Sequence, residues 1–246
     1  MKVFATYNIK GGVGKTSTAA NLAYLSAAEG RRTLLWDLDP QGAATYLFRV
    51  RPKVKGGGRA LVHQRRSLDD VIKASDFDNL DLLPADFRYR TMDLDLDDTK
   101  KPTRRLRRLL GDLDGQYDVV FLDCPPSISL VSENVLHAAD TLLVPLVPAT
   151  LSVRTLEQLT EFVGELDGRR PEIVAFFSMV DRRKRLHREV VASLPSQRPN
   201  VSSSTIPNAS IIEQMAERRS PVVAFAPRSE AAQRYACLWD EVRPRP

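Results

Sequence analysis

The chain has little cysteine, little histidine and no long apolar run. Cys124 and Cys237 are its only cysteines. They are too few for a disulfide framework or a four-cysteine metal site, so a reducing cytoplasmic setting is expected. His63, His137 and His187 are scattered and give no zinc spacing. No stretch of about eighteen apolar residues exists, so no transmembrane helix is expected. The apolar run within the opening MKVFATYNIKGG is too short for the h-region of a signal peptide. Internal repeats and low-complexity linkers are also missing.

What is present is enough for a sizeable core. The chain has 246 residues, 43% of them hydrophobic, which suits one α/β domain over residues 1–246 and excludes wholesale disorder. The net charge of +5 is modest, but its distribution is uneven. Residues 49–66 hold seven Lys or Arg, residues 100–108 hold six and residues 182–188 hold five, with no acid in any of the three. Three basic clusters on one chain suggest a polyanionic partner.

Short β-branched runs alternate with helical patterns. Strands are expected over 2–8, 33–37, 80–83, 117–123, 141–147 and 173–178. Helices are expected over 16–29, 68–74, 103–113, 155–166, 185–194, 211–218 and 229–242. The run Gly56–Gly57–Gly58 reads as a flexible loop. Continuous apolar strands separated by helices predict an α/β fold: one doubly wound, mainly parallel sheet with helices on both faces. Such sheets bind ligands at the carboxyl ends of their strands.

The strongest motif is Lys10-Gly11-Gly12-Val13-Gly14-Lys15-Thr16, between the first strand and the first helix. Glycines let successive N–H groups face one concavity, and the helix N-terminus adds partial positive charge, so the loop suits di- and triphosphates. Lys15 is placed to reach the β/γ-phosphates, the Thr16 hydroxyl to ligate Mg²⁺, and Ser17 to reach the α-phosphate. The general pattern G-x-x-x-x-G-K-[ST] is not met, because Ile9 stands where its first glycine belongs. Two further elements follow. Asp37 and Asp39 end the second strand at i, i+2, pointing the same way in extended chain. Asp123 emerges from the apolar strand Val119-Val120-Phe121-Leu122, where a carboxylate can hold Mg²⁺ through water.

The segments 10–16, 37–42 and 123–126 resemble the deviant Walker A, Walker A′ and Walker B motifs of the ParA/MinD family of ATPases. Ile9 is normal for the deviant form. Residues 79–85, 141–158, 205–226 and 229–242 are also similar to family segments, so the resemblance covers nearly the whole chain and fits the ParA branch better than MinD. It implies a P-loop fold, ATP and Mg²⁺ as cofactors, and hydrolysis of ATP to ADP and phosphate. It further implies catalytic roles for Lys10, which in the family crosses a dimer interface to the partner's nucleotide, for Lys15, and for Asp39, which positions the hydrolytic water. Asp37 would lie beside Asp39 in switch I. Nucleotide contacts are implied for Gly11, Gly12, Val13, Gly14, Lys15, Thr16 and Ser17, and for Pro207 and Asn208 against adenine. Family members often carry Arg where this chain has Asn208. Mg²⁺ is implied at Thr16 and, through water, at Asp123.

The resemblance implies an ATP-sandwich homodimer that binds double-stranded DNA without sequence preference. It also implies a ParB-like or cargo-adaptor partner that stimulates hydrolysis. Arg182, Arg183, Lys184, Arg185 and Arg188, joined by Arg218 and Arg219, are the expected DNA contacts, with the ATP-bound form associated with the nucleoid. No aromatics interleave these clusters, which argues against single-strand stacking. The ending Asp240-Glu241-Val242-Arg243-Pro244-Arg245-Pro246 offers no amphipathic helix, so MinD-like membrane cycling is not expected. The chain starts at the first strand, so no N-terminal helix-turn-helix is expected. The alternatives are a MinD-like spatial regulator, a metal or iron–sulfur delivery ATPase on the same scaffold, a metabolite synthetase and an inactive scaffold. The delivery enzyme would need paired interface cysteines, whereas Cys237 is expected in the core. A synthetase would need a further substrate pocket.

Overall fold

Every strand that feeds the phosphate loop is buried on both faces, and this fixes the layering of the molecule. The structure, a computed structural model, describes residues 1–243. In chain order the elements begin with β1 (Lys2–Thr6), α1 (Lys15–Ala28), β2 (Thr33–Asp37), α2 (Ala43–Leu47), α3 (Gly57–Val62), β3 (Lys73–Ala74) and β4 (Leu80–Leu83). They continue through α4 (Met92–Asp97), α5 (Arg105–Gly111), β5 (Val119–Asp123), α6 (Leu130–Ala138), β6 (Thr141–Leu146) and α7 (Thr150–Glu165). The last are β7 (Glu172–Val180), α8 (Arg185–Gln197), β8 (Val201–Pro207), α9 (Ser210–Arg218), α10 (Val222–Phe225) and α11 (Glu230–Val242).

The strands form one sheet in the order β3-β4-β2-β5-β1-β6-β7-β8, parallel throughout except for the antiparallel edge pair β3–β4. Alternate residues of each strand serve opposite faces. Val3, Ala5, Trp36, Val120 and Leu122 pack with Leu106, Leu136 and Leu156 on one side. Phe4, Leu35, Phe121 and Leu143 pack with Leu22 of α1 and Trp239 of α11 on the other. Phe4 and Phe121 stack with centroids 5.2 Å apart, and Trp239 meets both at 6.0 Å. Because β5 lies between β1 and β2, Thr6, Asp123 and Asp37 stand in register at the carboxyl end.

Three expectations change. Residues 68–74 are a turn leading into β3, where Lys73 and Ala74 pair with Leu82 and Asp81. Edge pairing to β4 satisfies backbone groups that a two-turn helix would leave open. Gly57 and Gly58 belong to α3 and are buried, so the glycines serve close approach: a Cβ on Gly58 would meet Met92 Cε at 2.8 Å. Serine-rich β8 carried no strand signal; Ser202 and Ser204 donate hydrogen bonds to Glu241 of α11 at 2.7 and 2.8 Å. The terminal segment read as non-helical falls partly on residues 244–246, outside the described residues. Among the described residues no helix is long and apolar enough to cross a membrane.

Candidate functional site

The loop between β1 and α1 is shaped by two glycines in left-handed conformation, Gly12 (φ 69°) and Gly14 (φ 91°), and α1 starts directly at Lys15. Left-handed backbone at these positions turns successive N–H groups inward. Asn8 braces the entry: its side chain accepts from the Lys10 N–H at 2.9 Å and donates to the Pro145 carbonyl at 2.9 Å. Lys15 Nζ donates to the Lys10 carbonyl at 2.9 Å, so its ammonium is folded over the loop. Burial lowers the pKa of Lys15, against the pull of Asp123, Cys124 and Asp39. Gly14 has no room for a side chain either, since a Cβ would stand 2.8 Å from Ser178 Oγ.

Gly14→Ala is therefore expected to cost about 1–3 kcal/mol of stability through strain and crowding together. Urea unfolding would read this. The double variant with Ser178→Gly should recover only part of the loss, because the backbone strain persists.

Asp123 is fully buried at the end of β5. Its Oδ1 accepts from Thr6 Oγ1 at 3.4 Å, whereas Oδ2 has no partner. Burial and then the nearby Asp37 charge push its pKa well up, while the Thr16 hydroxyl opposes the shift. Asp37 lies beside Asp39, but it is fully buried and does not line the cavity. Its Oδ2 accepts from the Thr45 N–H and hydroxyl, both at 2.7 Å, and its Oδ1 from the Asp39 N–H at 3.2 Å. Burial raises its pKa to about 6 against these bonds. Thr45 in turn accepts from the Ala85 N–H at 2.8 Å, tying the end of β4 to the end of β2. Thr45 and Asn8 were not singled out from the sequence, since an isolated Thr or Asn carries no readable signal.

The glycine loop and Asp39 face a cavity of about 340 Å³, with Asn8, Asp37, Thr45 and Asp123 behind its lining. Gly11, Gly12, Gly14, Lys15, Thr16, Ser17 and Asp39 line one end. Pro207 and Asn208 of the loop after β8 line the other, with Ser178, Met179, Ile212 and Glu213. Met179 holds a left-handed φ of 55°, a strained conformation for a non-glycine residue at a cavity wall. Lys10, Val13 and Asp37 stand outside the lining. Val13 is buried behind the loop, and Asp123 lies within electrostatic reach of Lys15. The unpartnered Asp123 oxygen, with Thr16 close by, suits a hydrated divalent cation.

Comparison with known proteins decides the family. Residues 1–174 match a family model described as an AAA domain. The sporulation initiation inhibitor protein Soj of Bacillus subtilis is 31% identical over 98% of both chains. The chromosome partitioning protein ParA of Caulobacter vibrioides is 30% identical over 98% of this chain and 94% of its own length. The chain belongs to the ParA/MinD family of ATPases.

The fold agrees with this membership. A crystal structure of cobyrinic acid a,c-diamide synthase from Mycobacterium smegmatis, with bound ATP analog and magnesium, is similar at a TM-score of 0.83. It is 28% identical, with 98% of this chain and 93% of that one covered. The ParA/MinD-family scaffold also sets where the basic residues stand. Arg182 pairs with Glu230 at 3.2 Å, Arg183 with Asp181 at 3.0 Å and Arg185 with Glu189 at 2.6 Å. Arg188 donates to the carbonyls of Arg182 and Arg183, and the Asp181 N–H is held by His187 Nδ1 at 3.0 Å. Lys184 precedes α8 and is exposed. Arg218 and Arg219 stack over Phe225 and Tyr46. The two cysteines are not brought together as a pair of one kind: Cys124 is buried and Cys237, expected in the core, is exposed.

Proposed function

We propose that residues 1–246 form one ATPase domain of the ParA branch, a nucleotide-dependent dimer that partitions or positions a cargo. The observation that carries this reading is the orphaned Asp123 oxygen, buried at the end of β5 within electrostatic reach of Lys15 and Thr16, which with Asp39 line the cavity. Thr16 would hold Mg²⁺ directly and Asp123 through water, and the ion would neutralise charge on the phosphates. The loop N–H groups and Lys15 orient the triphosphate. Asp39, exposed to the cavity, positions water for in-line attack on the γ-phosphate. Asp37 fixes the loop that carries Asp39. Pro207 and Asn208 lie where an adenine would rest. Little covalent work is asked of the side chains, so alignment and charge supply the rate.

Assembly follows from what surrounds the cavity mouth. Ile128 (65% exposed), Leu151 (66%) and Met179 (37%) follow the carboxyl ends of β5, β6 and in β7. Exposed apolar side chains gathered on the ligand-binding edge favour a second copy there. Lys10 would then reach the partner's nucleotide and couple dimerisation to hydrolysis. A ParB-like or adaptor protein would accelerate the step, and hydrolysis would dissolve the dimer.

The dimer is proposed to bind duplex DNA without sequence preference, through Arg182, Arg183, Lys184, Arg185 and Arg188, with Arg218 and Arg219 contributing. The ion pairs at Arg182 and Arg185 are exposed on both sides and worth little, so phosphates can replace their carboxylates, and the Arg183 side chain is itself exposed. Arg182→Glu, Arg183→Glu and Lys184→Glu together should weaken retention on duplex DNA by roughly tenfold or more at about 0.1 M salt, with a shallower salt slope. The ATP-dependent dimer should persist on size exclusion. Full DNA retention in that variant would move the site elsewhere.

A further inference from the structure

A second cavity, of about 550 Å³, is walled by Thr99 and the six cations of residues 100–108. It lies at the opposite pole from the nucleotide loop. Arg104 reaches toward Gly168, ahead of β7, and its charge and that of Arg107 act on His137 in the last turn of α6, ahead of β6. The nucleotide cavity, by contrast, opens at the carboxyl ends of the strands.

The cations here differ from those at the start of α8. Among the described residues none of the six forms an ion pair, whereas Arg182, Arg183 and Arg185 each do. Their repulsion is felt locally: burial and then the Arg108 charge lower the Arg105 pKa, and burial followed by Arg104 depresses His137. The wall is also built. Asn134, fully buried, accepts from the Arg105 and Leu106 N–H groups at 2.7 and 3.0 Å and donates to the Pro102 carbonyl at 2.5 Å. Arg105 Nε donates to the Val62 carbonyl of α3. This cross-bracing holds the start of α5 in place, with Lys100, Lys101, Arg104, Arg107 and Arg108 exposed around the concavity.

We infer that this cavity binds a soluble ligand carrying clustered phosphates. Guanidinium groups converging on one concavity match phosphate oxygens by charge and by paired N–H geometry. An acidic peptide fits less well, because no apolar or aromatic residue lines the cavity to anchor one. Duplex DNA fits less well too. A cylinder about 20 Å across cannot enter a cavity of this size and would touch only its rim. The inference is independent of the nucleotide reading, since it concerns the other end of the strands.

The probe is inorganic tripolyphosphate, followed by calorimetry in low salt on the Lys15→Ala protein, which silences the glycine loop. One equivalent should bind. Adding Arg104→Glu, Arg107→Glu and Arg108→Glu should weaken it about a hundredfold, with ATP binding by the same triple variant on the Lys15 background unchanged. The Gln triple variant, which keeps the side-chain bulk, should give an intermediate loss and covers the case where the Glu triple fails to fold. Equal tripolyphosphate affinity in either folded triple variant overturns the inference. So does loss of duplex DNA binding in these variants with no tripolyphosphate bound by the parent, which would make the patch a nucleic-acid contact. If the glycine-loop reading alone is wrong, Lys15→Ala keeps its ATP while the arginine effect persists.

Discussion

Lys15→Ala protein is expected to retain no ATP at concentrations that saturate the wild type. The ammonium is the one cation buried inside the loop, and a charge-assisted contact to phosphate is worth about 1.5–3 kcal/mol before desolvation is counted. Its loss also leaves the raised-pKa Asp123 carboxylate without its nearest cation. A drop in affinity of about a hundredfold or more by calorimetry is the expected size. The apo protein should still fold, because Ala is a better helix former than Lys at the first position of α1 and the Lys10 carbonyl remains open to water. Unchanged ATP affinity would remove the phosphate loop from the site.

Asp39→Ala should produce the opposite phenotype: ATP bound, copies paired, turnover lost. Asp39 lines the cavity and its Oδ1 accepts only from the Gln41 N–H at 2.9 Å, so its other oxygen is available to a water molecule. Removing a group that orients or deprotonates the attacking water costs roughly 10²–10⁴ in rate. Asp37 cannot substitute, being held by Thr45 behind the loop. The measurement is phosphate release alongside light scattering of the ATP-bound species. Normal turnover in this variant would assign the water to another residue. A trapped dimer would also serve as bait for the hydrolysis-stimulating partner proposed above.

Most of the frame was legible because its residues obey one rule each. The strands Val119–Asp123 and Thr141–Leu146 are apolar throughout, as strands buried on both faces must be. Glycine followed by Lys-Thr after such a strand has few other uses. The remainder was hidden for physical reasons. Asn8 and Thr45 act through single hydrogen bonds that leave no periodic trace. Strand β8 buries Val201 and Ile206 in the core, but three consecutive serines separate them from each other, two of which bond Glu241, so its composition looks like a loop. The i, i+2 spacing of Asp37 and Asp39 suggested a shared direction, but β2 ends at Asp37, whose carboxylate is buried on Thr45, while Asp39 faces the cavity. The run Gly56-Gly57-Gly58 between basic residues looked like slack, yet Ala60, Arg88 and Met92 fill the space that side chains would need.

The order of the sheet also bears on how the protein is made. Strands β1 and β2 leave the ribosome first but never touch each other; the slot between them belongs to β5. Until residue 123 has emerged, neither early strand has its central neighbour, and the nascent glycine loop has no floor. Such long-range closure slows folding and leaves apolar edges open during synthesis. A product cut short before residue 123 is therefore expected to hold no ATP, since its glycine loop lacks the strand that carries Asp123.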